Sequence, residues 1–244
     1  PASHKRKEGL GGFALAEQFG HRLHKPVPGL VQLRCGEPFI KAMAGVRAAA
    51  EVSLCVDGAF VCAESGEVQF TEYGISGIPV FQFSRTAAYA LLDGRDVSVK
   101  INFFPDYERT AFDYIVRNRF EMMRKAPLEE FLLGMTNKKI NLALIKREGL
   151  RPADTVEAVG YPRIRRLMDS FLELTVPVCS TNGMENAQIC AGGIDFSQVD
   201  MQLESVKQPG LYLAGELLDV DGKCGGYNLQ WAWASGCLAG KSAA

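Results

Sequence analysis

The residues with the clearest chemical pattern lie near the end of the chain, where a glycine-rich loop follows an apolar run. Residues 211–214 are apolar, which predicts a short buried strand. The loop glycines let the backbone pass close to a ligand without Cβ clashes. They are Gly215, Gly222, Gly225 and Gly226. Residues 227–240 are compatible with a helix, whose first N–H groups would stabilise anionic or electron-rich ligand atoms. The pattern is typical both of a cofactor loop and of plain turn chemistry.

The identity of these residues favours the cofactor interpretation. Residues 210–230 resemble the C-terminal FAD-contacting segment of the BaiN-like flavoproteins, an aminoacetone oxidase-like family of NAD(P)/FAD-dependent oxidoreductases. Three further stretches are similar to the family in the same order. Residues 14–21 resemble its helix ending in Gly-His, residues 66–77 its strand and T-x-x-G-x-S-G-P turn, and residues 191–194 its T-x-G-G-V segment. The resemblance covers nearly the whole chain.

The resemblance implies a set of cofactor contacts in the C-terminal segment. They are Gly215, Glu216, Gly225, Gly226, Tyr227, Asn228 and Leu229. Glu216 would meet the ribityl chain, and the backbone N–H groups at the helix start would face the pyrimidine side of the flavin ring. Asn228 would either bond the ring or satisfy the turn. Asp219 and Asp221 are expected to shape the turn through side-chain to backbone bonds. The catalytic acid or base is unknown, and no metal site is expected.

The family's FAD domain opens with a strand and a G-x-G-x-x-G turn that holds the pyrophosphate. Residues 1–25 contain Gly9, Gly11 and Gly12, but no apolar strand precedes them. We therefore expect this chain to be a C-terminal portion of a larger protein. It would lack the first mononucleotide-binding half of the FAD domain and would be inactive alone.

Composition and charge narrow the function classes. The 244 residues could form one large domain or two smaller ones, and the net charge is −1. Seven scattered cysteines without C-x-x-C spacing argue against a disulfide framework and a zinc site, and reduced thiols favour a cytoplasmic location. Residues 137–166 hold eight Lys and Arg against three Asp and Glu, which indicates a solvated helical face or a surface for an anionic nicotinamide cofactor.

The order of elements predicts an α+β fold. It would comprise a β-barrel-like domain with a small helical insert, plus the last strand and helix of an incomplete Rossmann-type FAD domain. The predicted boundaries are 1–28 for a remnant of the FAD domain, 29–105 and 172–207 for the β domain, 106–171 for the helical insert, and 208–244 for the C-terminal strand and helix. Asp57-Gly58 predicts a hairpin, and Gly66 is expected to separate two strands.

Local signals add four expectations. Gly20 should end a helix over residues 12–20, where the charge of His21 would be favoured by the helix C-terminus. A second helix should run from the turn at residues 76–79 to residue 91, with a strand over residues 80–83 as the alternative. Leu211, Leu213, Trp231 and Trp233 would lack sheet neighbours and expose apolar surface, so that their segment would be disordered, rearranged or buried in an oligomer contact. A homo-oligomer formed through this segment is one outcome.

The sequence therefore predicts the C-terminal portion of an FAD-dependent oxidoreductase that acts on a small molecule, with NAD(P)H or oxygen as the second reactant. The isolated chain is expected to be inactive, and retention and loss of FAD by it are both open alternatives. The alternative is a non-catalytic interaction or scaffolding module that docks onto a partner. No nucleic-acid partner is expected, because the net charge is near zero and no recognition motif is present. No membrane partner is expected either, because no apolar run approaches about 20 residues.

Overall fold

A computed structural model describes residues 11–244, which form a mixed α/β structure in two compact units. Unit 1 contains residues 11–32, 81–92 and 181–244, and unit 2 contains residues 33–80 and 93–180. Unit 2 thus contains both the main sheet and the helices of residues 109–172, whereas the sequence predicted a separate helical insert. The domain boundaries expected from the sequence remain a prediction.

The described residues contain both helices and strands. The helices are α1 (Gly11–Gln18), α2 (Pro38–Ala42), α3 (Ile78–Leu92), α4 (Arg109–Met122), α5 (Leu128–Phe131), α6 (Lys138–Arg147), α7 (Val156–Val159), α8 (Tyr161–Leu172) and α9 (Tyr227–Ser242). The strands are β1 (Leu23–Gly29), β2 (Leu33–Arg34), β3 (Arg47–Val56), β4 (Ala59–Phe70), β5 (Gly74–Ser76), β6 (Val97–Asn102), β7 (Leu174–Pro177), β8 (Ser180–Thr181) and β9 (Ile189–Ile194).

Unit 1 is built around the antiparallel pair β1 and β9. Their register places Leu23 opposite Ile194 and Gly29 opposite Ile189. Ile194 also forms a parallel bridge with Leu218, which ties the strand pair to the C-terminal segment. The core of the unit is apolar. One buried cluster comprises Ala16, Ile194, Val199, Leu203, Leu213, Leu218 and Ala239.

The helix predicted at residues 12–20 is confirmed as α1, and it ends in a Schellman arrangement. The Gly20 amide donates to the Glu17 carbonyl at 2.9 Å, and the His21 amide donates to the Ala16 carbonyl at 3.1 Å. The expectation that His21 would favour its charged form is wrong. Burial, with a smaller contribution from Lys207, lowers the pKa of His21, because the imidazole is taken out of water.

The predicted strand at residues 211–214 is not formed. This segment is extended but makes only an isolated antiparallel bridge, between Tyr212 and Glu204. The Leu213 amide donates to the Leu203 carbonyl at 3.0 Å, so the segment pairs with a nearby loop and not with a strand. Leu213 is buried in the cluster of unit 1, whereas Trp233 is 73% exposed. Leu213 thus packs into unit 1, while Trp233 of α9 remains exposed.

Unit 2 contains the larger sheet, in which neighbouring strands follow the order β7-β6-β3-β4-β5-β2. The Asp57-Gly58 hairpin is confirmed, with Val56 opposite Ala59. The expectation that Gly66 separates two strands is wrong, because Gly66 pairs with Ala50 within the continuous strand β4. Pairing to β3 along its whole length keeps this glycine in the ladder. β6 alternates buried and half-buried residues, as its sequence predicts.

Gly74 lies where two strands approach closely. A Cβ atom at this position would lie 2.0 Å from the Leu33 carbonyl oxygen, a distance that only glycine avoids. The β2–β5 pairing, with Gly74 opposite Arg34, explains this requirement. The glycine of the T-x-x-G-x-S-G turn therefore has a structural role in the sheet.

Helices follow two of the strands along the chain: α3 comes after β5, and α4 to α8 come after β6. α3 is confirmed as a helix, and the alternative strand at residues 80–83 is wrong. The helical character expected for residues 106–171 is confirmed by α4 to α8. Large aromatic side chains fill the interior of unit 2. Phe103 lies with its ring centroid 6.1 Å from that of Phe70 and 6.4 Å from that of Phe171.

Candidate functional site

The candidate site lies in unit 1 at the start of α9. Gly226 precedes the helix with φ +94° and ψ −8°, a left-handed conformation that favours glycine. The Gln230 amide donates to the Gly226 carbonyl at 3.0 Å, which is the first hydrogen bond of the helix. The amides of Tyr227, Asn228 and Leu229 precede that bond, so they lie at the positive end of the helix dipole.

A cleft of about 490 Å³ opens beside this helix start. Its lining mixes apolar side chains with a few polar groups. The lining residues are Leu30, Gln188, Ile189, Glu216, Gly226, Asn228, Leu229 and Ala232. Apolar clefts with a small number of polar groups are typical of small-molecule and cofactor sites.

Four of the residues that the sequence predicted as cofactor contacts line this cleft. They are Glu216, Gly226, Asn228 and Leu229. Gly225 and Tyr227 are adjacent to them in the chain but lie outside the lining, and the Tyr227 side chain is exposed. Gly215 also lies outside the lining. The cofactor role of all seven remains a prediction.

Gly215 instead connects a single 3-10 turn, Gly215–Leu217, to the helix α9. Its amide donates to Ser235 Oγ at 2.9 Å, and its carbonyl accepts from Trp231 Nε1 at 3.1 Å. Ser235 is almost fully buried. These bonds hold the turn that carries Glu216 against the side of the helix, so Glu216 and the helix start have a fixed relation.

Asn228 satisfies the turn. Its Oδ1 accepts from the Gly222 amide at 2.8 Å, and its Nδ2 donates to the Gly222 carbonyl at 3.0 Å. Of the two roles left open from the sequence, the structure supports this one. The pair closes the loop of residues 219–226, which we call the α9 loop, onto the first turn of the helix.

Asp219 and Asp221 hold the α9 loop through ion pairs with distant side chains. These pairs take the place of the expected bonds from each carboxylate to the backbone of its own turn. Asp219 Oδ1 accepts from Arg85 Nη2 at 2.9 Å, and Asp221 also accepts from the Arg85 guanidinium. Asp219 Oδ2 lies 2.6 Å from His24 Nδ1. Both carboxylates are largely shielded from water. In this loop, ion pairs with residues distant in the sequence therefore replace the local turn bonds.

Two further contacts reach the α9 loop near the cleft. The Cys224 amide donates to Gln82 Oε1 at 3.1 Å, and the Cys224 thiol lies 3.9 Å from Gln188 Oε1.

A second cysteine of unit 1, Cys190, has a raised pKa. Burial first and the Glu216 carboxylate second raise the pKa of Cys190 to about 11. Cys190 therefore stays a neutral thiol at neutral pH, which excludes it as a ready nucleophile.

Several residues of this site were missed by the sequence analysis. Gln82, Arg85 and Tyr89 recur at intervals of three and four on α3, so they share one face of the helix. This polar stripe was a usable signal that the face meets polar partners. Nothing local identified Asp219 as the partner of Arg85, because 134 positions separate them.

Residues 11–244 contain neither a metal-binding cluster nor a membrane-spanning helix. No three or more His, Cys, Asp or Glu side chains in this part of the chain are grouped so as to hold a metal ion. No helix in the same range has the length and apolar character needed to cross a membrane.

Comparison with known proteins gives relatives that match nearly all of this chain. It is 43% identical over 238 residues to the 3-dehydro-bile acid delta(4,6)-reductase of Clostridium scindens, covering 96% of this chain and 57% of that protein. It is 30% identical over 236 residues to the ribosomal RNA dihydrouridine synthase of Haemophilus influenzae, covering 93% and 55%. The enzyme of that name from Escherichia coli is 30% identical over 237 residues, with the same coverage.

The chain thus spans little more than half the length of these curated relatives. A family model described as the HI0933-like protein Rossmann domain matches residues 9–242, which is almost the entire sequence. The chain belongs to the HI0933-like family.

Proposed function

We propose that this chain is part of a flavin-dependent oxidoreductase and that the cleft beside α9 receives the isoalloxazine ring of FAD. The observation that carries the proposal is the convergence of Glu216, Gly226, Asn228 and Leu229 on one cleft at the start of a 16-residue helix. Family membership and the reductase relative support it. The barrel-like closure of the β domain and a cytoplasmic location are finer predictions that we retain.

The residues present fit such a ring. The volume of about 490 Å³ lies within the range of about 300–1,000 Å³ typical of ligand pockets. Leu30, Ile189 and Leu229 offer apolar surface to the faces of a flat ring, and Gln188 offers an amide to its polar edge. No Cβ is present at Gly226, and the space that one would occupy is open, so a ligand can approach the backbone there.

A bound flavin would supply the hydride or electron transfer, and the chain would position and tune it. The amides at the start of α9 would stabilise an electron-rich ring edge, because they carry the positive end of the helix dipole. The bonds of Gly222 to Asn228 and of Gly215 to Trp231 would keep these amides and Glu216 in place.

The proposals for the substrate and for the source of electrons rest on the relatives more than on the cleft. The reductase from Clostridium scindens supports a small-molecule substrate, and a 3-dehydro-bile acid is the first compound to try. NAD(P)H is the proposed source of electrons, with oxygen as the alternative oxidant of the flavin.

The test is the visible absorption spectrum of the purified chain after incubation with FAD and desalting. Leu229→Glu places a charge in the cleft at a side chain that is 70% exposed, so the fold should survive. Leu133→Glu is the matched control, since Leu133 is 72% exposed in unit 2. Flavin bands in the wild type and the control, and their loss in Leu229→Glu, would support the proposal. Bands of equal strength in all three would refute the location.

A second candidate function is action on ribosomal RNA. Two relatives carry that activity in their names, and they match 93% of this chain. Unit 2 supports it through a slot of about 360 Å³ in which Arg147 lies over the ring of Phe39, with Lys146 at the same slot. Aromatic and cationic groups together favour nucleobases and phosphates. Salt-dependent binding of an rRNA fragment, lost in Lys146→Glu, would support this alternative.

The third candidate is a non-catalytic interaction module. Exposed apolar side chains on α9 favour it, with Trp233 at 73% exposed. A concentration-dependent mass in sedimentation, without flavin retention or RNA binding, would support this function and an oligomer formed through the C-terminal segment.

A further inference from the structure

The α9 loop is held by side chains that approach it from two other elements of unit 1. Arg85 of α3 bonds Asp219 at 2.9 Å and also bonds Asp221, and Gln82 of the same helix accepts from the Cys224 amide at 3.1 Å. His24 of β1 lies 2.6 Å from the second oxygen of Asp219. One helix thus contacts the beginning, middle and end of the loop.

We propose that Arg85 is a positioning residue for the flavin cleft. By joining Asp219 to Asp221 it would fix the curvature of the α9 loop, and thereby the direction in which Gly226 and the first amides of α9 face. This inference rests on the proposed function, because the cleft is taken to be the flavin site. Arg85 is not among the residues that line the cleft, so its effect on a ligand is exerted through the loop.

The burial of the two carboxylates explains why one arginine can have this effect. The side chains of Asp219 and Asp221 are 12% and 13% exposed. A carboxylate that is largely withdrawn from water and loses its cation is strongly unfavourable, so the loop would open to rehydrate it. His24 would still neutralise Asp219 when protonated, but it has no contact with Asp221.

The geometry requires a guanidinium. Nη1 reaches Asp221 while Nη2 reaches Asp219, so two nitrogens on one rigid plane fix the separation of the carboxylates. A lysine carries the same charge on a single nitrogen and cannot hold both carboxylates in this fixed arrangement. Arg85→Lys should therefore have an effect between those of the wild type and Arg85→Met, which removes the charge and keeps much of the stem.

The chain contains its own reporter of loop order. Lys223 lies in the middle of the α9 loop and is exposed, so trypsin can cleave after it once the loop opens. Lys125, an exposed lysine of unit 2, reports general unfolding in the same digest. We expect Arg85→Met to accelerate cleavage after Lys223 by about tenfold without accelerating cleavage after Lys125. Arg95→Met is the control, since Arg95 pairs with Asp57 on the surface of unit 2.

The same variants are then titrated with FAD. Arg85→Met should weaken flavin affinity by about tenfold, with Arg85→Lys intermediate and Arg95→Met unchanged. Cleavage after Lys223 at the wild-type rate in Arg85→Met would overturn the inference. Equal acceleration after Lys223 and Lys125 would also overturn it, because Arg85 would then support the fold in general. Since the digest contains no flavin, failure of the wild type to bind FAD would refute the proposed function alone.

Discussion

The indole Nε1 of Trp231 donates to the carbonyl of Gly215 at 3.1 Å, while the Gly215 amide donates to Ser235 Oγ at 2.9 Å. Trp231 and Ser235, one helical turn apart on α9, therefore bond the backbone carbonyl and the backbone amide of the same residue. Ser235 Oγ in turn donates to the Trp231 carbonyl at 2.6 Å. This arrangement fixes the turn that carries Glu216 to the helix whose first amides lie at the cleft.

Ser235→Ala should lower the free energy of unfolding by about 1–3 kcal/mol, because it leaves the half-buried Gly215 amide without its acceptor. Chemical denaturation measures this change. Ser242→Ala is the matched control on the same helix, where the hydroxyl is exposed and donates only to the Leu238 carbonyl. The control should change stability by less than about 0.5 kcal/mol. Equal effects of the two variants would contradict the role given to Ser235.

Gly226→Ala should destabilise the protein by about 1–2 kcal/mol and weaken flavin binding, because a residue with a Cβ is strained at φ +94°. Gly236 provides the opposite case on the same helix. It lies in the helix interior, and nothing is within 4 Å of the position of its absent Cβ. Gly236→Ala should stabilise the protein by about 0.4–1 kcal/mol. Thermal melts of both variants and a flavin titration check this pair, and a stabilising Gly226→Ala would be inconsistent with the loop geometry.

Asn228→Asp should weaken flavin binding by about tenfold without lowering the melting temperature. The carboxylate still accepts from the Gly222 amide but cannot donate to the Gly222 carbonyl. A negative charge in the first turn of a helix is itself favourable to the helix, so a loss of affinity would not come from unfolding. Asn118→Asp, at an exposed position of α4, controls for added charge. A fall in melting temperature that parallels the loss of affinity would argue for a general loss of structure.

Stability should fall as the pH is lowered through about 6.5, partly because of His21. The pKa of His21 is lowered in the folded state by burial, so the unfolded chain takes up the proton first as the pH falls. Protonation therefore favours unfolding below the unfolded-state pKa, and the contribution is absent above it. His21→Gln should reduce the difference in unfolding free energy between pH 7.5 and pH 5.5. Parallel pH curves for the two proteins would show that His21 is not responsible.

The elements that the sequence predicted correctly are those with a local cause. Asp57-Gly58 forms a hairpin because the turn conformation is set by the two residues themselves. Residues 227–240 are compatible with a helix in the sequence, and α9 covers all of them. The alternation of β6 likewise follows from residues that are neighbours in the sequence.

The errors arise where distant residues decide the outcome. Gly66 stays within β4 because its partner Ala50 holds it in the ladder, and a local rule about glycine does not include that partner. Residues 211–214 have a strand-like composition but meet only a loop. In the candidate site, the cluster at the start of α9 was predictable from the family resemblance. Arg85 and His24 were not, since their common partner Asp219 lies far along the chain.

The central claim is that the cleft beside α9 accepts a flavin ring, and a fluorescence titration of riboflavin with the purified chain tests it most directly. Riboflavin carries the ring without the pyrophosphate and adenine, so its binding depends on this cleft alone. The account predicts saturable quenching by the wild type and by Leu133→Glu, and at least about tenfold weaker binding by Leu229→Glu. Equal affinity in all three proteins, or no saturable quenching by the wild type, would contradict it.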